Sequence, residues 1–246
     1  MTLNIGLSIS GGFRRVVNRN GLILALANLI VGTVWQIAFY SAVVTSLNQS
    51  GAAVAVALPA IDVPFTVSVA GALFTLVLLQ YLTIIAIRTF VGGHSRSIPS
   101  EYYTRNIVFV LVNSILGAVV FGFLVLVGSI FLFVPVIIAY VAFIFTFLYV
   151  AAEDENFISA LRDSWALTRG HWIRLFLLLF ITIVGISVVS GILSSLSMFG
   201  IGAVGGPALA TLISGLVVLP FSLLTLGILA EAFIQLQNSQ EIAASP

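Results

Sequence analysis

Apolar stretches along the chain are separated by short polar ones, and the apolar stretches are too long for a water-soluble fold. Residues 20–61, 63–87, 106–152 and 175–230 contain no charged side chain. A helix needs about 20 apolar residues to cross a hydrocarbon core of roughly 30 Å. Written as one straight helix, residues 106–152 would extend about 70 Å at 1.5 Å per residue. They must therefore fold back, and residues 175–230 are split in the same way. The pattern predicts six membrane-spanning helices, over 21–47, 67–90, 107–127, 135–152, 172–196 and 209–236. The expected fold is all-α: a single polytopic integral membrane bundle over residues 1–246, built as three helical hairpins.

One polar connection has a pattern of its own. Between 153 and 171, Phe157, Ala160, Leu161, Ser164, Trp165 and Thr168 recur at helical spacing and share one face. Glu153, Asp154 and Glu155 precede it, where the helix dipole favours negative charge. Arg169 stands at its end and Gly170 supplies a stop. This predicts an amphipathic helix over about 155–169 lying in the inner membrane interface, anchored by Trp165 and Trp172. The connection 48–66, with Pro59 and Pro64, reads as an outer segment on the membrane surface. The glycine-rich stretch 197–208 reads as a flexible outer loop, and 241–246 as a short polar tail.

Charge fixes the orientation. All nine basic residues are arginine, in three clusters: Arg14, Arg15, Arg19; Arg88, Arg96, Arg105; and Arg162, Arg169, Arg174. In the six-span reading every cluster falls on the same side, and retained cytoplasmic loops are the ones that hold Lys and Arg. Both termini are then cytoplasmic and the chain sits in the cell membrane, with the first span an uncleaved anchor. The acids lie mostly on the same side, Asp62 being the outer exception. A net charge of +1 gives no reason to expect nucleic acid. The absence of cysteine excludes thiol catalysis, disulfides and Cys-based metal sites. Basicity carried by arginine without lysine fits a high-GC or halophilic source.

Candidate chemistry is sparse. Arg162, Arg169, His171 and Arg174, with Trp172 beside them, are placed to contact anionic lipid headgroups on the inner face. Within the spans, Asn28, Gln36, Gln80 and Asn113 are the notable polar residues; helix packing and a polar lining both remain open for them. Glu231 is expected to pair with Arg88 or Arg174 at the inner ends of the spans. Pro135 and Pro220 are expected to kink their helices. Gly200 to Gly205 matches a dinucleotide fingerprint by letter only, since no strand precedes it. His94 and His171 have no carboxylate or second histidine at ligand spacing. No catalytic residue, cofactor or metal is predicted.

The run Ser159-Ala160-Leu161-Arg162-Asp163-Ser164-Trp165-Ala166-Leu167-Thr168-Arg169-Gly170-His171-Trp172 resembles the inner-loop signature of a broad membrane family. It is similar to the membrane domain attached to some glycerophosphodiester phosphodiesterases and to stand-alone prokaryotic relatives, many of them haloarchaeal and mostly of unknown function. The opening stretch 12–21 is similar in style to the haloarchaeal members. The family's hydrolase chemistry lives in a separate soluble domain, so the resemblance implies a membrane module and no reaction. The expected function is a non-catalytic multi-pass module that organises lipids, a protein partner or further copies of itself. The alternative is a small transporter or channel for a neutral or lipid-like solute.

Overall fold

The computed structural model describes residues 3–51, 57–131 and 133–244. All regular structure among them is helical. The helices are α1 (Ile5–Val16), α2 (Arg19–Gln49), α3 (Phe65–Val91), α4 (Glu101–Thr104), α5 (Ile107–Phe131), α6 (Phe133–Ala142) and α7 (Thr146–Ala152). They continue with α8 (Phe157–Thr168), α9 (Trp172–Leu196), α10 (Gly202–Leu216) and α11 (Val218–Ala244). A π-helical turn, Ser197–Ile201, joins α9 to α10. The chain is therefore all-α, as its apolar periodicity requires.

Among the described residues three helical runs are long and apolar enough to cross a membrane: Arg19–Gln49, Phe65–Val91 and Trp172–Ile242. Ile107–Phe123 and Ile137–Ala152 are shorter apolar helices. Only 22–28% of the most apolar window in each long run is buried by the protein itself. So large an uncovered apolar surface does not persist in water, and it is what a lipid solvent accepts.

The chain divides into two compact units. Unit 1 comprises Met1–Leu22, Thr83–Ile183 and Leu224–Pro246; unit 2 comprises Ile23–Leu82 and Val184–Leu223. The charges follow that division. All nine arginines fall in unit 1, and Asp62 is the one charged residue of unit 2.

Unit 2 buries small and polar side chains and turns large apolar ones outward. Asn28, Gln36, Ser41, Ser68 and Thr75 are buried, whereas Leu26, Ile30, Leu73 and Phe74 are exposed. Small residues let its helices approach closely: Leu219 packs onto Gly32, and the Gln36 amide presses on Gly215. Ser194 and Ser214 exchange reciprocal hydrogen bonds, Oγ to backbone carbonyl, at 3.4 and 3.3 Å. The long C-terminal run thus doubles back between them.

That reversal corrects one expectation. Residues 197–208 do not form a flexible loop; they are the π-helical turn and the start of α10. The break comes at Gly206, whose φ of 81° and ψ of 166° lie outside the helical region, with Pro207 directly after it. A glycine tolerates that conformation at no steric cost. Part of the expected outer surface segment, residues 52–56, lies outside the described residues.

Unit 1 holds the larger apolar core, with Ile84, Phe90, Phe145, Leu148, Leu175 and Phe233 almost fully enclosed. The helix that the apolar pattern predicts as one span over 135–152 is broken into α6 and α7 at residues 143–145. Pro135 lies inside α6, and the break falls well after it. The hydroxyls of α8 satisfy the backbone groups freed there: Ser164 Oγ and Thr168 Oγ1 donate to the Ala142 carbonyl at 3.0 and 3.1 Å, and the Phe145 amide donates to Ser164 Oγ at 3.2 Å. Non-helical backbone in an apolar setting persists only where such partners exist. Pro220 lies just after the break at Val217 between α10 and α11; the backbone is helical through that residue, and the proline supplies no amide hydrogen for the Leu216 carbonyl.

The amphipathic helix expected over 155–169 is α8. Asn156 caps its start by accepting from the Ser159 amide at 2.9 Å, and Gly170, at φ 87°, ends it. No helix is expected from the sequence over residues 5–16, although their polar and apolar positions alternate at helical spacing; in the structure they form α1. It buries Ser8, Gly11 and Gly12 and leaves Leu7 and Phe13 exposed. Its small-residue face seats on α11: a Cβ at Gly12 would lie 2.5 Å from the Ile228 nitrogen, and one at Gly227 would lie 2.8 Å from the Gly12 oxygen.

Candidate functional site

Unit 1 uses its arginines in two different ways. Arg88, almost fully buried, donates from Nε to the Ala151 carbonyl at 2.7 Å, from Nη1 to the Tyr102 carbonyl at 2.9 Å, and from Nη2 to the Arg105 carbonyl at 2.9 Å. These carbonyls belong to the C-terminal ends of α7 and α4, which carry partial negative charge. Arg88 Nη2 also meets Asp154 Oδ1 at 2.7 Å, and Arg105 Nε meets Asp154 Oδ2 at 2.9 Å. Asn106 donates to the same carboxylate at 3.1 Å. Asn106 and Asp154 both have positive φ, 46° and 58°. This network holds two connections in conformations that non-glycine residues rarely adopt.

Glu231 pairs with Arg15, not with Arg88 or Arg174. The Arg15 Nε–Glu231 Oε2 distance is 2.7 Å, and Arg15 Nη1 donates to the Phe90 carbonyl. The docking of α1 onto α11 brings the two together across 216 positions of sequence. Arg88 is already saturated by Asp154 and three carbonyls, and Arg174 makes only a 3.4 Å contact to the Leu3 carbonyl.

Beside the Arg15–Glu231 pair lies a cleft of about 320 Å³, lined by Gly11, Arg14, Arg15, Asn18, Thr89, Phe90, Gly93, His94, Ser95 and Glu231. On the other side of Arg14 and Glu231 lies a wider groove of about 630 Å³, lined by Asn4, Leu7, Gln235, Asn238, Ser239 and Ile242 as well as by those two residues. The turn after α3 shapes the first cleft and places His94 Nδ1 3.4 Å from the Tyr102 hydroxyl. Among the described residues Arg14 is exposed, and its side chain has no hydrogen-bond or ion-pair partner.

The five headgroup candidates lie at and just beyond α8. Arg162 and Arg169 are exposed, and their side chains have no partners among the described residues. Trp165 and Trp172 pack edge to face with centroids 5.1 Å apart, and Trp172 Nε1 donates to Thr168 Oγ1 at 3.3 Å. His171 is half-buried with Nδ1 unpartnered, and Arg174 is exposed. Arg162 also borders an apolar groove of about 370 Å³, lined by Phe143, Ile158, Leu161 and Trp165. Of the acids before α8, Glu155 stands in a poorly solvated place near Asp163. Loss of solvent, and then the neighbouring Asp163 charge, push its carboxyl up to about 7.

The four polar residues of the apolar stretches are divided between the two units. Asn28, Gln36 and Gln80 belong to unit 2, Asn113 to unit 1. Asn28 donates to the Leu24 carbonyl of its own helix at 2.9 Å. Gln36 is buried with Oε1 unpartnered, and Gln80 is half-buried. Asn113 accepts from the Phe157 amide at 2.8 Å, which makes it a second cap for α8. Among the described residues no group of three His, Asp or Glu side chains is arranged to hold a metal ion.

Residues 3–236 match a family defined as a domain of unknown function, DUF7847. The chain belongs to that family. No curated protein and no solved structure matches it. The DUF7847 match runs from the residue before the α1 cap into the second half of α11. It therefore takes in every residue that lines the 320 Å³ cleft and the whole of α8. The cleft went unread in the sequence because its walls come from three distant segments. The one local signal was the spacing of Ser8, Gly11 and Gly12, which puts small residues on one helical face.

Proposed function

We propose that this chain is a non-catalytic multi-pass protein of the cell membrane, with six spans and cytoplasmic termini, whose arginine-bearing face engages anionic lipid headgroups and so organises lipids or membrane partners around it. One observation carries the reading. Every arginine falls in unit 1, and two of those without an ion pair among the described residues have exposed apolar neighbours: Arg162 has Ile158 and Trp165, and Arg14 follows Phe13 in the chain. A surface that is apolar and cationic at once suits the boundary between acyl chains and anionic headgroups. In this reading α1 and α8 are interfacial helices. The resemblance of the α8 region to the glycerophosphodiester phosphodiesterase membrane domain points the same way. The strongest acid–base contacts, Asp154 with Arg88 and Glu231 with Arg15, are consumed in holding helices together, which favours a scaffold over a reaction centre.

Two measurements test this. In a chain without cysteine, single replacements Ser10→Cys, Ser159→Cys and Gln240→Cys are expected to react with an impermeant thiol reagent from the cytoplasmic side only, and Ser50→Cys from the outside only. Labelling of Ser159→Cys from outside would sink the topology. Native mass spectrometry from nanodiscs of phosphatidylcholine with phosphatidylglycerol is expected to show preferential retention of the anionic lipid, reduced in an Arg162→Gln/Arg169→Gln double variant. Equal retention of both lipids would sink the headgroup role.

A second reading, a small transporter or channel, is favoured by Gln36 alone, whose buried Oε1 has no partner. Unpaired polar groups in an apolar interior are costly and often functional. Labelling of a Gln36→Cys variant by the impermeant reagent would move this reading ahead.

A further inference from the structure

Around the cleft between α1 and the turn after α3, several backbone acceptors are covered by side chains, while several donors have no partner among the described residues. The C-terminal carbonyls of α1 would repel an anion, but Asn18 Nδ2 donates to the Arg14 and Arg15 carbonyls at 3.2 and 2.6 Å. Arg15 covers the Phe90 carbonyl, and Asn20 Nδ2 covers that of His94 at 2.8 Å. The one carboxylate in the lining, Glu231, is neutralised by Arg15. Among the described residues the donors left without a partner there are the whole Arg14 guanidinium, Nη2 of Arg15 and the Ser95 hydroxyl, and the His94 ring nitrogen Nε2 is unpartnered as well. Among the described residues no acid pairs with Arg14, so two arginines and one carboxylate leave the lining positive.

We propose that this cleft is a binding site for a phosphate-bearing anion, held principally by Arg14 with Arg15, His94 and Ser95 around it. A phosphate group offers several acceptor oxygens and negative charge, which matches a surplus of donors arriving from more than one direction. Arginine meets such groups through two parallel hydrogen bonds. The cleft's volume of about 320 Å³ admits a phosphate with a glycerol-sized substituent. Leu7 and Phe13 on the exposed side of α1 are suited to acyl chains, so the phosphate is that of a phospholipid. For this source the inference rests on the headgroup reading above; for the site itself it does not.

The test uses the full chain with Arg14→Gln, Arg14→Lys and, as a charge control outside the cleft, Arg19→Gln. Arg14 is exposed and unpartnered, so its replacement leaves the fold intact, which the melting temperature checks. One arm measures phosphatidic acid retained from phosphatidylcholine nanodiscs by native mass spectrometry. The other titrates glycerol 3-phosphate into the protein in neutral detergent by calorimetry. Arg14→Gln is expected to lower phosphatidic acid retention about tenfold, the loss expected of one charge-assisted hydrogen bond. Arg14→Lys should fall between it and wild type, and Arg19→Gln should lose clearly less. If glycerol 3-phosphate binding, and not lipid retention, depends on Arg14, the site stands and its ligand is a soluble phosphate ester. Equal losses in Arg14→Gln and Arg19→Gln overturn the site while leaving the headgroup reading in place. A wild type that binds neither probe overturns the site, and its indifference to phosphatidic acid counts against the headgroup reading as well.

Discussion

Arg88 Nη2 meets Asp154 Oδ1 at 2.7 Å with the arginine side chain 1% exposed and the aspartate 14%. The same guanidinium satisfies three backbone carbonyls that have lost their helical partners. Its charge is therefore dispersed over one carboxylate and two helix ends. Replacing Arg88 with Ala strands three buried carbonyls at once and leaves Asp154 only Arg105 and Asn106. A loss of about 3–5 kcal/mol is expected for breaking such a buried pair, read as a steep fall in melting temperature in detergent. Asp154→Asn should cost less, because the three carbonyl bonds survive.

Glu155 makes stability depend on pH in a stated direction. Its folded carboxyl is pushed up to about 7, from an ordinary value of 4.5, by loss of solvent first and by the Asp163 charge second. Between those values the folded state binds the proton more tightly than the unfolded chain does. This group's contribution is therefore most favourable below pH 4.5 and is lost as the pH rises through about 7. Glu155→Gln is expected to raise the melting temperature at pH 8 and to flatten the pH dependence between pH 5 and 8, relative to wild type. An unchanged slope in the variant would remove Glu155 from the account.

Close approach of α1 and α11 predicts an order among glycine substitutions. A Cβ at Gly12 meets the backbone of Ile228, which cannot yield, whereas one at Gly11 meets the Glu231 side chain at 2.7 Å, which can rotate. Gly12→Ala is expected to cost about 1–3 kcal/mol, the usual range for overpacking, and Gly11→Ala less. Limited proteolysis of the N-terminal helix measures both.

Two residues cap α8, Asn156 from its own N-terminus and Asn113 from α5. Loss of either cap should cost about 1 kcal/mol. Asn113→Ala tests whether that residue is spent on packing: thermal stability should fall, and no new water access should appear at a neighbouring cysteine.

What the sequence disclosed followed the range of each signal. The long helices, the existence of α8 and its end at Gly170 all depend on neighbours within a few turns, and the apolar and helical periods carry them. The stretch 197–208 was misread because its glycines speak for a loop in water, while among apolar helices small residues continue a helix. Glu231 was matched to the wrong arginine because the choice among Arg15, Arg88 and Arg174 is made by tertiary packing. Nothing local shows that Arg88 is already taken by Asp154. The cleft was illegible for the same reason, since α1, the turn after α3 and α11 must all be in place before its walls exist.

Joining α1 to α11 has a consequence for how the protein is made. The ribosome delivers Arg15 early and Glu231 only after 216 further residues. Until then the Ser8, Gly11 and Gly12 face of α1 lacks its cover and Arg15 lacks its carboxylate. Unit 1 is thus a clasp whose second half is synthesised late. A nascent or prematurely terminated chain lacking α11 would display that open clasp to membrane quality-control proteases, and arrival of the last helix hides it.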